Sequence, residues 1–176
     1  MLKYVTGQEA KNMLIWADSV KSGDADNLEG RAAAFYWKSV FIDNPKFTRS
    51  DDDIVNAMLN YGYAIVRAIV ARALVGAGLI PTVGVHHHNR YDAYCLADDI
   101  MEPYRPYVDR LVIDIVSAGI PEELDVNVKR ALLELPVKEV IIDGIRRPLM
   151  LAVSQTVNSL QKCFSGSSRK VIYPSM

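Results

Sequence analysis

The segment at residues 54–80 is the most apolar stretch of the chain and constrains its fold more than any other feature. Polar side chains interrupt it every turn or two, at Asn56, Asn60, Arg67 and Arg72. A spanning helix needs about 20 predominantly apolar residues, and charged side chains are costly at bilayer depth. We therefore interpret the segment as a buried helix of a globular domain and not as a membrane span.

Apolar residues recur with helical spacing along most of the remaining chain. Ser50 and the aspartates after it form a favourable N-terminal cap for the central helix, and Gly23 is expected to end the first helix. The turn signal Asn44-Pro45 separates the second helix from the central one. The predicted helices cover residues 7–21, 24–41, 53–78, 96–104, 107–118, 125–135 and 146–164.

Two short segments, "VKEVIID" and "KVIYP", favour strands, and we expect them to form a small hairpin or an edge pair. No internal repeat or linker divides the sequence. At 176 residues the chain is long enough to bury a sizeable core. The predicted fold class is all-α: one mostly α-helical domain over residues 1–176, with at most a short β-hairpin near the C-terminus.

The charge balance limits the functions that the whole chain supports. Twenty basic and 21 acidic residues give a net charge of −1, so any basic surface for nucleic acid has to be local. The N-terminal "MLKYVTGQEAKNML" lacks the apolar core of a signal peptide. With Cys95 and Cys163 far apart in sequence, we expect two reduced thiols in a cytoplasmic protein.

The stretch "GVHHH" contains the only histidines of the chain, His86, His87 and His88. Successive side chains of an extended segment point in opposite directions, so the middle histidine is expected to face away from the other two. Affinity tags sit at termini, which argues against a tag. A satisfied run of surface or core histidines stays open as the alternative to a metal ligand.

Carboxylates on two other segments are candidate ligands. In "ADDIMEPYRP", Asp99 and Glu102 would share a helix face, where like charges repel unless a cation lies between them. A salt bridge to Arg105 would relieve the same repulsion. In "DNLEG", Glu29 lies in the first turn of a helix beside a glycine, although the helix dipole alone favours an acid there.

One histidine and two carboxylates from different segments would make a hard, oxygen-rich metal site. Such a ligand set suits Mg²⁺ or Mn²⁺, whereas a structural zinc prefers thiolates. A metal held in this way activates water or a 3′-hydroxyl and neutralises the charge that grows on a phosphate. The residues alone allow this site without selecting it over a histidine run and a salt bridge.

Three long stretches of the sequence resemble a known family. They are "DADNLEGRAAAFYW", "NAMLNYGYAIVRAIVARALVGAGLIPTVGVHHHNRYDAYCLADDIMEPYRP" and the ending "RKVIYPSM". All three are similar to the CRISPR-associated integrase of the spacer-acquisition (adaptation) module, the larger subunit of the adaptation complex, and most of all to its type II members. The resemblance runs from about Ala10 to the C-terminus.

The resemblance implies a set of site residues. In the family's helical catalytic domain, a glutamate, a histidine and an acidic residue hold a divalent metal. The glutamate of the N-x-E-G motif falls on Glu29, the histidine of G-[FIV]-x-H on His87, and the acid that ends D-[LI]-M-E on Glu102. These three are the expected catalytic residues and ligands of Mg²⁺ or Mn²⁺. Further positions implied to support the site or to lie along the DNA path are Asp99, Asn56, Asn60, Tyr63 and Arg105.

The activity that the resemblance implies is metal-dependent DNA strand transfer. The 3′-hydroxyl of a captured protospacer attacks a phosphodiester at the edge of a CRISPR repeat, and water in its place gives endonuclease activity. The implied partners are DNA, as protospacer and repeat, and the small ferredoxin-like adaptation subunit, in the prokaryotic cytoplasm. We expect no counterpart of the family's N-terminal β-rich domain, which builds its homodimer, in these residues. We therefore expect the helical catalytic domain alone and leave the homodimer open.

Two other functions are compatible with the sequence. One is a catalytically silent helical domain that serves as a folded interaction module, without metal uptake or nicking of branched DNA. The other is a helical metallohydrolase that acts on small phosphate esters and has no affinity for DNA.

Overall fold

The computed structural model describes residues 2–21, 24–41, 47–50 and 52–176. Helices make up most of this part of the chain. The α-helices are α1 (Leu2–Thr6), α2 (Lys11–Ser19), α3 (Leu28–Val40), α4 (Ile54–Gly76), α5 (Cys95–Met101), α6 (Arg105–Ala118), α7 (Val126–Leu132) and α8 (Leu149–Phe164). Short 3₁₀ turns cover Glu102–Tyr104 and Leu135–Val137, and the strands are β1 (Glu139–Ile142), β2 (Ile145–Pro148) and β3 (Pro174–Ser175).

The central helix α4 confirms the prediction made from the apolar segment. Its N-terminal cap is Asp53, not Ser50, because the Asp53 side chain accepts a 2.7 Å hydrogen bond from the backbone N–H of Asn56. By length and composition alone α4 could cross a membrane. However, Leu59 and Val66 are fully buried in one core with side chains of α5, α6 and α8, as in the core helix of a globular domain.

Helices α4 and α6 approach each other closely at Gly62. A Cβ atom at this position would lie 2.4 Å from Cγ1 of Val108, a fully buried side chain of α6. Val108 is β-branched, so its side chain has few other rotamers to adopt. Glycine is unfavourable inside a helix by propensity, and the packing of α4 on α6 explains its presence.

A three-stranded antiparallel sheet, in the order β2-β1-β3, accompanies the helices. The all-α prediction is therefore right for most of the chain and incomplete near its C-terminus. Strands β1 and β2 form a hairpin that the sequence did not predict, because the expected pairing joined "VKEVIID" to "KVIYP". Asp143 and Gly144 between the two strands have φ of 53° and 74°. Two successive residues with positive φ are what a two-residue type I′ hairpin turn requires, and Asp-Gly is a favoured pair there.

Two boundaries predicted near the C-terminus are wrong. Residues 146–148, predicted as the start of the last helix, belong to β2, and α8 begins only at Leu149. The residue before a proline is biased towards extended conformations, so Arg147 before Pro148 continues the hairpin. The segment "KVIYP" contributes only Pro174 to β3, opposite Ile142.

The N-terminal region departs from the prediction in its boundaries. The helix predicted over residues 7–21 is observed as α2, from Lys11 to Ser19, and the sequence did not predict α1. The predicted helix end at Gly23 and the turn at Asn44-Pro45 lie outside the described residues.

Candidate active site

The carboxylate of Asp99 organises the loop that carries the three histidines. Asp99 lies on α5 and accepts hydrogen bonds from the backbone N–H groups of Val85 (2.6 Å), His86 (2.9 Å) and His87 (3.1 Å). Burial alone would raise the pKa of Asp99. The backbone donors and the imidazole of His87 outweigh burial and lower the pKa below its usual value. Asp99 is thus ionised at neutral pH, and its charge holds the loop in place.

The loop folds back on itself at Gly84, where no side chain fits. A Cβ atom at Gly84 would lie 2.2 Å from the carbonyl oxygen of His87 and 2.9 Å from Cβ of Cys95. This close approach lets three successive N–H groups converge on one carboxylate.

His87 is the histidine of the three that faces the central pocket described below. Its Nδ1 lies 2.5 Å from Oδ1 of Asp99, which leaves Nε2 for a ligand. A metal-ligating histidine usually gives its other ring nitrogen to a carboxylate or a carbonyl group in this way. The loop is bent at Val85 and His86 rather than extended, so the contact with Asp99, and not strand alternation, distinguishes His87 from its neighbours.

A pocket of about 330 Å³ lies between α4, the histidine loop, α5 and the first residue of α6. It combines guanidinium, imidazole, amide and phenol groups, which donate hydrogen bonds to anionic oxygens. It brings together four of the predicted site residues, Asn60, Tyr63, His87 and Arg105. The complete lining is Asn60, Tyr63, Ala64, Arg67, His87, Asp98, Met101 and Arg105.

Glu102 lies at the end of α5, in the first position of the 3₁₀ turn that leads to α6. Its carboxylate forms a 3.0 Å salt bridge with Nη2 of Arg105. Burial raises the pKa of Glu102 against the opposing electrostatic effects of Arg105 and His87. Glu102 is therefore within electrostatic reach of His87, and the salt bridge considered as an alternative from the sequence is also present.

Arg105 carries a hydrogen-bond donor that is available to a ligand. Its Nε is buried and has no hydrogen-bond partner in the described part of the chain. The guanidinium carbon lies 5.0 Å from the centroid of the Tyr63 ring. A buried unpaired donor costs free energy, so an anionic acceptor at this wall of the pocket would be stabilised.

Arg67 is a pocket residue that the sequence indicated only as an interruption of the apolar segment. Its guanidinium binds Asp98 at 2.5 Å and Asp92 at 3.0 Å, and it lies 4.7 Å from the centroid of the Tyr94 ring. These contacts join α4 to α5 and to the loop before it. An arginine on an apolar helix needs acidic partners, so the aspartates of "YDAYCLADD" were the available signal.

Arg49 forms hydrogen bonds with Asn56 and Asn60, the two asparagines that the resemblance implied around the site. It donates to the side-chain oxygens of Asn56 and Asn60, the latter at 2.7 Å. Asn56 is buried and donates to the carbonyl of Thr48 at 2.8 Å. Asn56 thus fastens residues 47–50 to α4, whereas Asn60 lines the pocket.

A buried carboxylate that the sequence did not single out joins three helices at the pocket wall. Tyr36 of α3 and Tyr63 of α4 both donate hydroxyl hydrogen bonds to Asp109 of α6. Burial raises the pKa of Asp109 to about 6, even though both hydroxyls act to lower it. Tyr36 and Tyr63 are 73 and 46 residues away from Asp109 in sequence, so no local sequence pattern predicts the cluster.

Glu29 lies in the first turn of α3 and is exposed. The side chain of Asp24 accepts the backbone N–H groups of Leu28 (2.8 Å) and Glu29 (2.9 Å) at the start of this helix. Asn27 adopts a left-handed φ of 50° and makes no capping bond. Within the described residues, no hydrogen bond or ion pair joins the Glu29 side chain to His87 or Glu102. Neither Glu29 nor Glu102 is among the residues that line the pocket at His87.

The residues around the pocket fit the divalent metal that the resemblance implies only in part. Over the described ranges, no group of three or more histidine, cysteine, aspartate or glutamate side chains could hold a metal ion. The free Nε2 of His87 and the Glu102 carboxylate suit Mg²⁺ or Mn²⁺, and Asp99 orients the histidine as a ligand requires. Two of the three predicted ligands thus fit the ion, and Glu29 is not gathered with them.

Most of the chain matches a known protein family. The family model described as CRISPR associated protein Cas1 matches residues 9–141, which include the motifs around Glu29, His87 and Glu102. The CRISPR-associated endonuclease Cas1 of Neisseria meningitidis serogroup C (strain 8013) is 38% identical over 153 residues, covering 86% of this chain and 50% of that protein. A CRISPR-associated endonuclease Cas1 of Francisella tularensis subsp. novicida (strain U112) is 31% identical over 156 residues, covering 81% of this chain and 49% of that protein. The chain spans about half the length of the curated relatives it matches.

A solved structure has the same fold over most of this chain. It is a casposase bound to integration product, which aligns with a TM-score of 0.73 and 25% sequence identity. The alignment covers 86% of this chain and 52% of the casposase chain. Together with the family match over residues 9–141, it shows that the chain belongs to the Cas1 family of CRISPR-associated proteins.

Proposed function

We propose that the chain is the catalytic domain of a metal-dependent DNA integrase and endonuclease that acts in CRISPR spacer acquisition. The contact between Asp99 and His87 carries this proposal, because it leaves Nε2 of a histidine at a pocket with two arginines in its walls. Both relatives are named endonucleases, and these names support the nuclease activity in the proposal. The casposase bound to integration product supports the integrase part.

The proposed reaction is a transesterification. The 3′-hydroxyl oxygen of a protospacer attacks the phosphorus of a phosphodiester in the repeat, and a new P–O bond forms. The attacking hydroxyl gives up its proton, the old bond between phosphorus and the 3′-oxygen breaks, and the leaving oxygen takes up a proton. With water as the nucleophile, the same displacement cuts the DNA strand.

Five side chains have a proposed task in this reaction. His87, Glu102 and Glu29 would hold Mg²⁺ or Mn²⁺, which supplies positive charge at the scissile phosphate. Asp99 occupies Nδ1 of His87 and so keeps Nε2 available. The unpaired Nε–H of Arg105 is a charged donor for a phosphate oxygen. For the full ligand set, Glu29 has to join the pocket from the exposed first turn of α3.

A disintegration assay on branched DNA with Mn²⁺ tests the proposal. We expect His87→Ala and Glu102→Gln to abolish strand transfer. His88→Ala, which removes an exposed neighbouring imidazole, should retain it. Equal activity of His87→Ala and wild type would overturn the assignment of the site.

Metal binding can be measured without DNA. A ligand that binds only the native state stabilises it by about 2.7 kcal/mol at a hundred times its dissociation constant. Mn²⁺ is therefore expected to raise the melting temperature of the wild type and to leave those of His87→Ala and Glu102→Ala unchanged. An equal rise in all three proteins would contradict the ligand set.

We also propose the partners that this activity needs. They are DNA, as protospacer and repeat, and the small ferredoxin-like adaptation subunit, in the prokaryotic cytoplasm. Co-purification with that subunit tests the second partner, and sedimentation of the chain alone tests whether it forms the family's homodimer.

The separate position of Glu29 favours a second candidate function. In this alternative, the chain is a catalytically silent helical interaction domain. It predicts no change of melting temperature with Mn²⁺ and no nicking of branched DNA at high protein concentration. Either response to Mn²⁺ would exclude it.

A further inference from the structure

A second polar groove runs along the outer face of α8. Two pockets of about 730 Å³ and 320 Å³ share the lining residues Ser154 and Asn158, so they adjoin. Their walls come from α4, the β1–β2 hairpin, α8 and the segment after α8. We call this feature the α8 groove and define it by Arg72, Arg147, Ser154, Asn158, Lys162 and Lys170.

The α8 groove is basic although the whole chain has a net charge of −1. Its walls contain four basic side chains and one acidic side chain, Asp143. Within the described residues, none of the four basic groups forms a salt bridge. The Nε of Arg147 is also buried without a hydrogen-bond partner there. An anionic ligand would satisfy this donor and relieve the mutual repulsion of the basic groups.

The α8 groove and the pocket at His87 lie on opposite sides of α4. Tyr63 and Arg67 line the pocket at His87, whereas Arg72 and Gly76, nine residues further along, line the α8 groove. At about 100° of rotation per residue, nine residues turn a helix face by about 180°. A ligand in the α8 groove is therefore separate from one at the candidate active site.

We propose that the α8 groove binds the sugar-phosphate backbone of a duplex DNA segment that does not enter the active site. This proposal rests on the proposed function, which makes DNA the substrate. Lysine and arginine, together with serine and asparagine, are the usual partners of DNA phosphates, and they make up the groove.

The dimensions and chemistry of the α8 groove favour a duplex over an unpaired strand. From Met150 to Lys162 it follows α8 for about 18 Å, at about 1.5 Å per residue. About five phosphates of one duplex strand pass over that length, at about 3.4 Å each. The described walls include no aromatic side chain on which the bases of a single strand would stack.

The salt dependence of duplex binding tests the proposal. Each neutralised phosphate contributes about 0.9 to the slope of log K against log salt. We expect Lys162→Ala/Lys170→Ala to reduce this slope by about 2 for an unbranched duplex, measured between about 50 and 200 mM salt. Both lysines are exposed, so the fold should survive the change.

A charge-matched variant controls for non-specific attraction. Lys38→Ala/Arg130→Ala removes two exposed positive charges that lie outside the pocket at His87 and outside the α8 groove. This variant should leave the slope unchanged. Equal slopes for the two double variants would overturn the proposal. So would an effect confined to a single-stranded probe, or to heparin as a polyanion that is not DNA.

The same proteins separate this proposal from the proposed function. His87→Ala should keep the duplex affinity of the wild type and lose strand transfer. The α8 groove variant should lose duplex affinity and keep strand transfer on saturating branched DNA. If the wild type lacks strand transfer but the groove variant still lowers the slope, the integrase proposal is wrong and duplex binding by the α8 groove is still supported.

Discussion

Asp99 and His87 form one unit: a single carboxylate binds Nδ1 of the imidazole and the backbone N–H of the same residue. It binds the N–H groups of Val85 and His86 as well. The geometry of the histidine loop and the orientation of its ligand nitrogen therefore depend on the same side chain. We therefore expect a substitution of Asp99 to weaken metal binding more than it weakens the stability of the fold.

Asp99→Ala is expected to weaken Mn²⁺ binding by about 10- to 100-fold, the usual effect of losing the partner that orients a ligand. The shift of melting temperature with Mn²⁺ concentration measures it. Asp114→Ala, which removes a half-exposed carboxylate that forms an ion pair with Arg110 on α6, is the matched control and should keep the affinity of the wild type. Undiminished Mn²⁺ binding by Asp99→Ala would show that Asp99 does not position His87.

Gly84→Ala should impair strand transfer while the fold is kept. The added Cβ would overlap the carbonyl oxygen of His87, so the backbone has to move away from Asp99. The readout is strand transfer on branched DNA beside the melting temperature without metal. Gly76→Ala adds the same methyl group where nothing lies within 4 Å and should be fully active. Full activity of Gly84→Ala would contradict the observed loop geometry.

Gly62→Ala should destabilise the protein although alanine is the better helix former. The gain in propensity is about 1 kcal/mol, whereas overpacking of a core costs about 1–3 kcal/mol. We expect a net loss of up to about 2 kcal/mol in urea unfolding, and a gain from Gly76→Ala, which is unobstructed. In a double-mutant cycle, Val108→Ala should reduce the cost of Gly62→Ala. Additive effects would rule out the Gly62–Val108 contact as the cause.

Asp109 should make stability fall as the pH rises. Its native pKa of about 6 lies above the ordinary 3.8, so the native state holds this proton more tightly than the unfolded state. The resulting stabilisation is complete below about pH 3.8 and is lost as the pH rises through about 6. At about 1.4 kcal/mol per pH unit, the free energy of unfolding of the wild type should fall by about 3 kcal/mol relative to Asp109→Asn. Parallel pH profiles of the two proteins would contradict the raised pKa.

The central part of the fold follows from local sequence signals. The apolar segment and an aspartate cap indicate α4, because burial and capping act over a few neighbouring residues. Apolar spacing is misleading at the β1–β2 hairpin, because it predicts one helix over residues 146–164 although residues 146–148 belong to β2. The Asp143-Gly144 turn and the proline at 148 were the signals that marked β2, and both depend on φ rather than on hydrophobic period.

The site was predicted from the resemblance more than from the residues. The sequence alone left His87 undecided between a ligand and a surface histidine, and the contact with Asp99 distinguishes it from its neighbours. Arg67 and Asp109 were missed because their partners lie far away in sequence, and only the packed helices bring them together. The ligand set of Glu29, His87 and Glu102 stays a prediction.

The buried cluster of Asp109, Tyr36 and Tyr63 also has an evolutionary consequence. The two hydroxyls bind the two oxygens of one carboxylate, so the loss of any of the three side chains leaves a buried polar atom without that partner. Substitutions at these positions should consequently arise together across related genomes. Lineages with an apolar residue in place of Asp109 are expected to carry phenylalanine in place of both tyrosines, and ancestral reconstruction should find few surviving intermediates between the two states.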